Sequence, residues 1–287
     1  MSKAGRPQCR SLRFDFHHYS DYGFEMIAIY KKLPGTNCGK CGAATCMAFA
    51  MKVKKSQASI EDCPFTEAGT SGETQSQQAT TAFSNYEQVS DDLEKEAVNV
   101  IFRDAAEAVG GEYQSRDGSE VIRLRMLTRY YEVRKDGLFM DDEYCCDAWT
   151  KIIVYDYVRR QGRNPLTGEW ISLGNFPHTA SHVKAFQSNA ERKVTETFKN
   201  DFNGLKLRCA EMGGTEIAGR IKADYTCCFD LLPRVPLYIS FWQADEEFDP
   251  DCKIQFDSNA EDHIDIEYLA YLLELFVEEL TGAPQRS

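Results

Sequence analysis

The sequence predicts an α+β protein in two parts: a small cysteine-rich module followed by a larger domain of mixed helix and strand. Three observations carry this. Four of the chain's eleven cysteines lie between residues 38 and 63. A polar tract, TEAGTSGETQSQQATTA (66–82), follows them without apolar periodicity, as linkers do. Beyond it, helical and strand-like patterns succeed each other without strict alternation, which favours α+β over a parallel α/β sheet. The expected divisions are a basic N-terminal region at 1–65 with its core at 30–65, a polar linker at 66–83 and an acidic α+β domain at 84–287.

The elements of the larger domain follow in order. YEQVSDDLEKEAVNVIFRDAAEAVGG reads as one amphipathic helix, stopped by Gly110-Gly111. EVIRLRMLTRYYEVRKDGLFM alternates apolar and charged residues, as strands with one solvated face do. CCDAWTKIIVYDYVRR reads as a helix ending near Gly162 and Pro165, and NPLTGEWISL as a turn leading into extended chain. ASHVKAFQSNAERKVTETF and GLKLRCAEMGG read as helices, whereas YTCCFDLL, PLYISFWQA and CKIQFD read as strands, the first two adjacent. In IDIEYLAYLLELFVEELTG, residues Ile266, Leu269, Leu273, Phe276 and Leu280 form one helical stripe that stops at Gly282.

Charge is unevenly distributed. The whole chain carries −12, which argues against nucleic acid, whose phosphates demand a basic surface. Residues 1–65 hold ten Lys+Arg against five acids, a net of +5, leaving 23 basic and 40 acidic residues, a net of −17, for the rest. No stretch approaches the roughly 20 apolar residues of a membrane helix, and the positive N-terminus has no apolar signal region. A cytoplasmic protein is expected, with its thiols reduced; an odd total of eleven cysteines agrees with that.

The chemistry concentrates in LPGTNCGKCGAATCMAFAMKVKKSQASIEDCPF, where the spacing is Cys38-x2-Cys41-x4-Cys46-x16-Cys63. Three close thiolates on a tight loop with a fourth from afar is how a chain grips a 4Fe-4S cube. Gly39 and Gly42 let the backbone curl and aim amide hydrogens inward. Cys46 opens a helical pattern whose N-terminal partial charge suits an anionic group, and Pro64 completes a Cys-Pro ending. Structural zinc would usually bring a second C-x2-C knuckle, and plant-type two-iron centres use the reverse order of spacings. Cysteines serving merely as small apolar residues would leave the flanking glycines unexplained. The basic region offsets the negative charge of such a cluster.

LPGTNCGKCGAATCMAFAMK with the later EDCP resembles the N-terminal cluster module of the corrinoid iron–sulfur protein large subunit, and also that of the Rnf-type electron-transport B subunit. The resemblance covers about residues 30–65. It implies that Cys38, Cys41, Cys46 and Cys63 hold a 4Fe-4S cluster that passes low-potential electrons to a protein partner such as a corrinoid protein or another metalloenzyme. The chain departs from the first family after the linker, being too short for its corrinoid-carrying barrel. On LTGEWISL, LLPRVPLYISFWQADEEF and FDSNAEDHID the body instead resembles an uncharacterised domain family found behind such modules in anaerobes, which implies no activity.

Weaker signals remain in the body. His178 and His182 could share a helix face, but the glutamate of H-E-x-x-H is missing; surface or capping roles are expected. DEEFDPD (245–251) lacks EF-hand spacing and reads as a solvated acidic loop that could dock a basic partner. Cys145-Cys146 and Cys227-Cys228, with Cys209 and Cys252, are expected in the core, because strand neighbours point to opposite faces. No phosphate loop and no nucleophile–base pair can be identified, so catalytic residues stay unassigned. The favoured reading is a one-electron carrier. The alternatives are an accessory or redox-sensing protein with a structural cluster, and an enzyme whose body binds a substrate or cofactor beside it.

Overall fold

A computed structural model describes residues 29, 33, 39–43, 49–50, 52–53, 58–65, 75–116, 118–177, 179, 181–217 and 222–282, without the side chains of 75–85 and 181–182. The chain divides into two compact units, with the boundary between Thr80 and Thr81.

In the smaller unit, Leu33, Ala43, Phe49, Ala50 and Cys63 form a buried apolar knot, with Ile29, Cys41, Val53, Ala58 and Ile60 packed against it. A 3-10 turn, Ile60–Asp62, leads to Cys63. Asp62 caps its start: the Ser59 N–H donates to Asp62 Oδ2 at 2.8 Å, and the turn's own backbone bond runs from the Asp62 N–H to the Ser59 carbonyl at 3.0 Å.

The larger unit begins within helix α1, Gln75–Ala97, which starts inside the stretch expected to be linker. Residues 66–74 lie outside the described residues. Glycine ends at residue 72, and the Gln- and Ala-containing sequence after it has adequate helix propensity. The single helix expected over 86–109 is two. After α1 the chain turns, then resumes as α2, Phe102–Val109. Asn99 Nδ2 donates to the Lys95 carbonyl at 2.6 Å and Lys135 Nζ to that of Val98 at 2.7 Å, so side chains take the place of the next helical bonds. Gly110 closes α2 in the left-handed region (φ 69°), where a side chain would be strained.

Strands β1 (Glu112–Arg116), β2 (Ser119–Met126), β3 (Arg129–Arg134), β4 (Gly137–Met140) and β5 (Glu143–Tyr144) form an antiparallel meander in sequence order. Asp141 and Asp142, both at positive φ, make the two-residue turn between β4 and β5. Helix α3 (Ala148–Arg160) is capped by Asp147, and a short strand β6 (Trp170–Ile171) follows a loop. Helices α4 (Ser181–Phe198) and α5 (Phe202–Glu211) lead to β7 (Thr215–Glu216), β8 (Tyr225–Leu232), β9 (Val235–Trp242) and β10 (Asp251–Asp257). These build a second antiparallel sheet of order β6-β10-β9-β8-β7, with β8 and β9 neighbours as expected. The chain continues through α6 (Ala260–His263) to α7 (Ile266–Thr281), whose stripe residues Leu269, Leu273, Phe276 and Leu280 are all buried.

One continuous apolar core runs from Leu93 to Leu280 and takes in both sheets. Helix α4 packs on α7 and β10, α3 on α7, and α2 on β2. Two polar devices fix this packing. On α4, Gln187 and Glu191 serve β10 as a substitute strand: Gln187 Nε2 donates to the Ile254 carbonyl at 2.8 Å, and the Ile254 N–H donates to Glu191 at 3.0 Å. On α3, the fully buried Asp156 accepts from Arg159, from Arg160 at 2.9 Å and from the Asp265 N–H at 2.8 Å. Arg160 also reaches the Asp265 carboxylate at 2.8 Å, locking α3 to the start of α7.

Candidate iron–sulfur site

The described part of the cysteine motif is a tight turn followed, twenty residues later, by a capped one. Gly39 (φ 71°) and Gly42 (φ 74°) both adopt the left-handed conformation, and the Gly42 N–H donates to the Gly39 carbonyl at 3.0 Å. Among the described residues, a methyl group on Gly42 would meet nothing within 4 Å, and one on Gly39 only the Ala43 carbonyl at 3.9 Å. Both positions call for glycine through their left-handed backbone angles. The exposed Lys52 Nζ donates to the Gly42 carbonyl at 3.0 Å, clasping the turn from the helical segment around it.

Cys41 is half-buried and Cys63 is 4% exposed, and both belong to the same small apolar knot. The sequence-predicted ligands Cys38 and Cys46 lie outside the described residues. Among the described residues, no group of three or more His, Cys, Asp or Glu side chains gathers as a metal site. The fit to an iron–sulfur group rests on what the two described cysteines share: soft sulfur donors brought to one apolar patch from opposite ends of the motif, beside a turn built on two left-handed glycines.

The body cysteines have other settings. Cys209, Cys227 and Cys252 are buried as expected, whereas Cys145 and Cys228 are half-buried. Burial pushes the thiols of Cys145 and Cys228 up to about 11 and that of Cys252 well above its usual range. A shared hydrogen bond with Cys227, then burial, raises Cys209 as well. A raised thiol is a poor nucleophile and a poor metal ligand. Cys146 departs from the expectation of core packing: it is exposed, because it lies in the connection after β5 rather than on a strand.

The motifs LTGEWISL and FDSNAEDHID meet around one carboxylate. Asp257, 1% exposed, accepts from the N–H groups of Gly168 at 2.7 Å, Asn259 at 3.0 Å and Thr167 at 3.2 Å, and from the Thr167 hydroxyl at 3.2 Å. Asn259 Nδ2 donates to the Pro165 carbonyl at 2.7 Å, and the Ser258 N–H to that of Glu169 at 2.8 Å. With its oxygens taken up by the chain, Asp257 pins a loop. In the acidic loop, Asp245 accepts the N–H groups of Glu247 and Phe248 at 2.8 Å, which hold its carboxyl below the usual range. The loop's residues 243–249 are all exposed, in line with a solvated segment. His178 and the side chain of His182 lie outside the described residues.

A family model described as "Domain of unknown function (DUF3786)" matches residues 102–279, well over half of the chain, and the chain belongs to that family. A second model, described as "Putative Fe-S cluster", matches residues 33–65. The same segment is similar to the corrinoid/iron-sulfur protein large subunit of Moorella thermoacetica, 51% identical over 39 residues, covering 14% of this chain and 9% of that protein. It is also similar to the gamma subunits of the acetyl-CoA decarbonylase/synthase complexes of Methanothermobacter thermautotrophicus, 53% identical over 36 residues, and Methanosarcina acetivorans, 60% over 38. These alignments cover 12% and 13% of this chain and 8% of each relative. The chain thus spans less than a tenth of the length of these curated relatives. No solved structure matches the chain. Among the described residues, no helix is long and apolar enough to cross a membrane.

Proposed function

We propose that Cys38, Cys41, Cys46 and Cys63 hold a 4Fe-4S cluster and that the chain is a cytoplasmic, low-potential one-electron carrier serving a partner protein in anaerobic metabolism. When bound, the cluster would supply reversible one-electron chemistry. The observation that supports this most is the four-cysteine spacing within a segment matched by the Fe-S model, with Cys41 and Cys63 on one apolar knot. The chain's own contribution is to hold the sulfur donors in a shell of small and apolar side chains, with the basic charge of residues 1–65 offsetting an anionic group.

The relatives named as corrinoid/iron-sulfur and acetyl-CoA decarbonylase/synthase subunits make a corrinoid protein or another metalloenzyme the favoured partner class. The body is proposed as a separately folding domain from about residue 84 that recognises that partner. Anaerobic purification should yield about four iron and four sulfide per chain, with reversible reduction in a titration followed by electron paramagnetic resonance. Stoichiometric zinc without sulfide in such a preparation would overturn the cluster. A cluster that falls apart on reduction would overturn the carrier role.

A further inference from the structure

Strand β9 has two characters. Leu237, Ile239 and Phe241 alternate toward the continuous core, whereas Tyr238 and Ser240 point to the opposite face of the second sheet. Register places Tyr238 between Gln255 of β10 and Cys228 of β8, so these three side chains share that face, with Ser240 two residues along. Trp170 of β6 stacks on the Tyr238 ring, with centroids 5.3 Å apart and planes 30° from parallel. Trp170 comes from LTGEWISL, and Tyr238 and Ser240 from LLPRVPLYISFWQADEEF; the proposed cluster uses none of them.

This patch holds buried polar atoms that lack partners. Tyr238 is 3% exposed and Ser240 0%, yet the two hydroxyls and Gln255 Oε1 have no hydrogen-bond partner among the described residues. Buried polar atoms are nearly always paired, because otherwise their bonds to water are given up for nothing. Phenylalanine and alanine would serve packing alone at these two positions of β9. Three such atoms on adjacent strands mark a place where another molecule completes the bonding. Trp170, Gln255 and Cys228, all half-buried, give the patch a margin that meets solvent.

The atoms dictate the chemistry of that molecule. Gln255 Nε2 donates to the Trp170 carbonyl at 3.2 Å, which orients the amide and leaves Oε1 to accept, so the ligand brings an N–H. Each hydroxyl can donate, which calls for a carbonyl close to that N–H. The stacked pair of aromatic rings suits a flat ligand. Gln255 and Cys228, opposite Tyr238, carry no charge, since burial pushes the Cys228 thiol up to about 11. Lys253, opposite Ser240, is turned to Glu191 and Asp251, 3.5 Å from each, so a neutral ligand fits. We propose that this face binds the lactam edge of a neutral planar ring, an N–H beside a carbonyl as in uracil, guanine and flavin. Gln255 accepts from the N–H, and Tyr238 and Ser240 donate to the carbonyl. The site is independent of the cluster.

Calorimetric titration of the full-length chain with uridine, guanosine and riboflavin tests this, each probe carrying the edge on a different ring, so that the one bound names the source. At least one should bind at a single site per chain. Methylating the ring N–H of the bound probe should remove binding, a test that needs no variant. Tyr238→Phe and Ser240→Ala should each weaken binding by roughly tenfold, the loss of one hydrogen bond. Without probe, both variants should melt at or above the wild-type temperature, because no bond within the chain is lost. No binding of any probe at millimolar concentration would overturn the proposal, as would binding indifferent to the methyl group or to both hydroxyl variants. A variant that melts well below the wild type, or fails to fold, would also overturn it, by showing that the hydroxyl already serves the fold.

Discussion

Glu274 should make the stability of the larger domain fall on the alkaline side, and the effect can be worked out from its surroundings. Burial on α7 raises its carboxyl from 4.5 to about 7; Glu278, one turn on, adds to the rise and Lys193 of α4 opposes it. The folded state prefers the protonated form. Its stabilising contribution is therefore fully present below pH 4.5 and is lost as pH rises to about 7. Between pH 5 and pH 8 the full shift corresponds to about 2.5 kcal/mol. Partial exposure of the side chain lowers this to roughly 1–2 kcal/mol. Glu274→Gln mimics the protonated form at every pH. Urea unfolding of wild type and variant at both pH values isolates the Glu274 charge together with its coupling to Glu278 and Lys193, because groups that do not interact with it cancel in the difference. The variant should gain roughly 1–2 kcal/mol on the wild type between pH 5 and pH 8, about 2–8 °C in melting temperature for a domain of this size. A variant-minus-wild-type difference that is the same at both pH values would refute the reasoning.

Other outcomes are expected from single sites. His263, 1% exposed, is held below its usual range mainly by burial, against the pull of Asp262 and Asp257, so its contribution is present above about pH 6.5 and lost as pH falls; His263→Gln should give a shallower acid limb in a thermal-melt series from pH 7 to pH 5. Asp156→Ala removes a shared acceptor from Arg159 and Arg160, which keep Glu96 and Asp265, and takes the acceptor from the Asp265 N–H. It should cost about 1–3 kcal/mol; an unchanged urea midpoint would show that the retained partners compensate in full. Gly42→Ala places a side chain at φ 74° and should cost about 1–2 kcal/mol in the small module, seen as faster iron loss to a chelator. Gly42→Asn should lose iron more slowly than the alanine variant, since asparagine tolerates that region. A fragment of residues 84–287 should fold without iron, giving a cooperative melt by circular dichroism; a molten fragment would show that the two units share a core.

Much of this protein was legible because its signals are local. The α+β class, the pairing of β8 with β9 and the buried stripe of α7 follow from local pattern, which reports the face a backbone element must hide. Gly110 was readable as a stop because a left-handed residue is a property of one position. The cysteine-rich segment matched by the Fe-S model at 33–65 was legible for the same reason: the spacing of its cysteines is written along the chain. Where side chains from distant segments compete with the backbone, tertiary structure decided. The break between α1 and α2 depends partly on Lys135, which reaches the carbonyls of Val98 and Val100 from the turn between β3 and β4. The exposure of Cys146 follows from where β5 ends and α3 begins. The loop held by Asp257 and the α3–α7 lock through Asp156 join residues about 90 and 109 positions apart. No local pattern announces such pairs, since each partner alone looks like an ordinary polar residue; only folding brings them together.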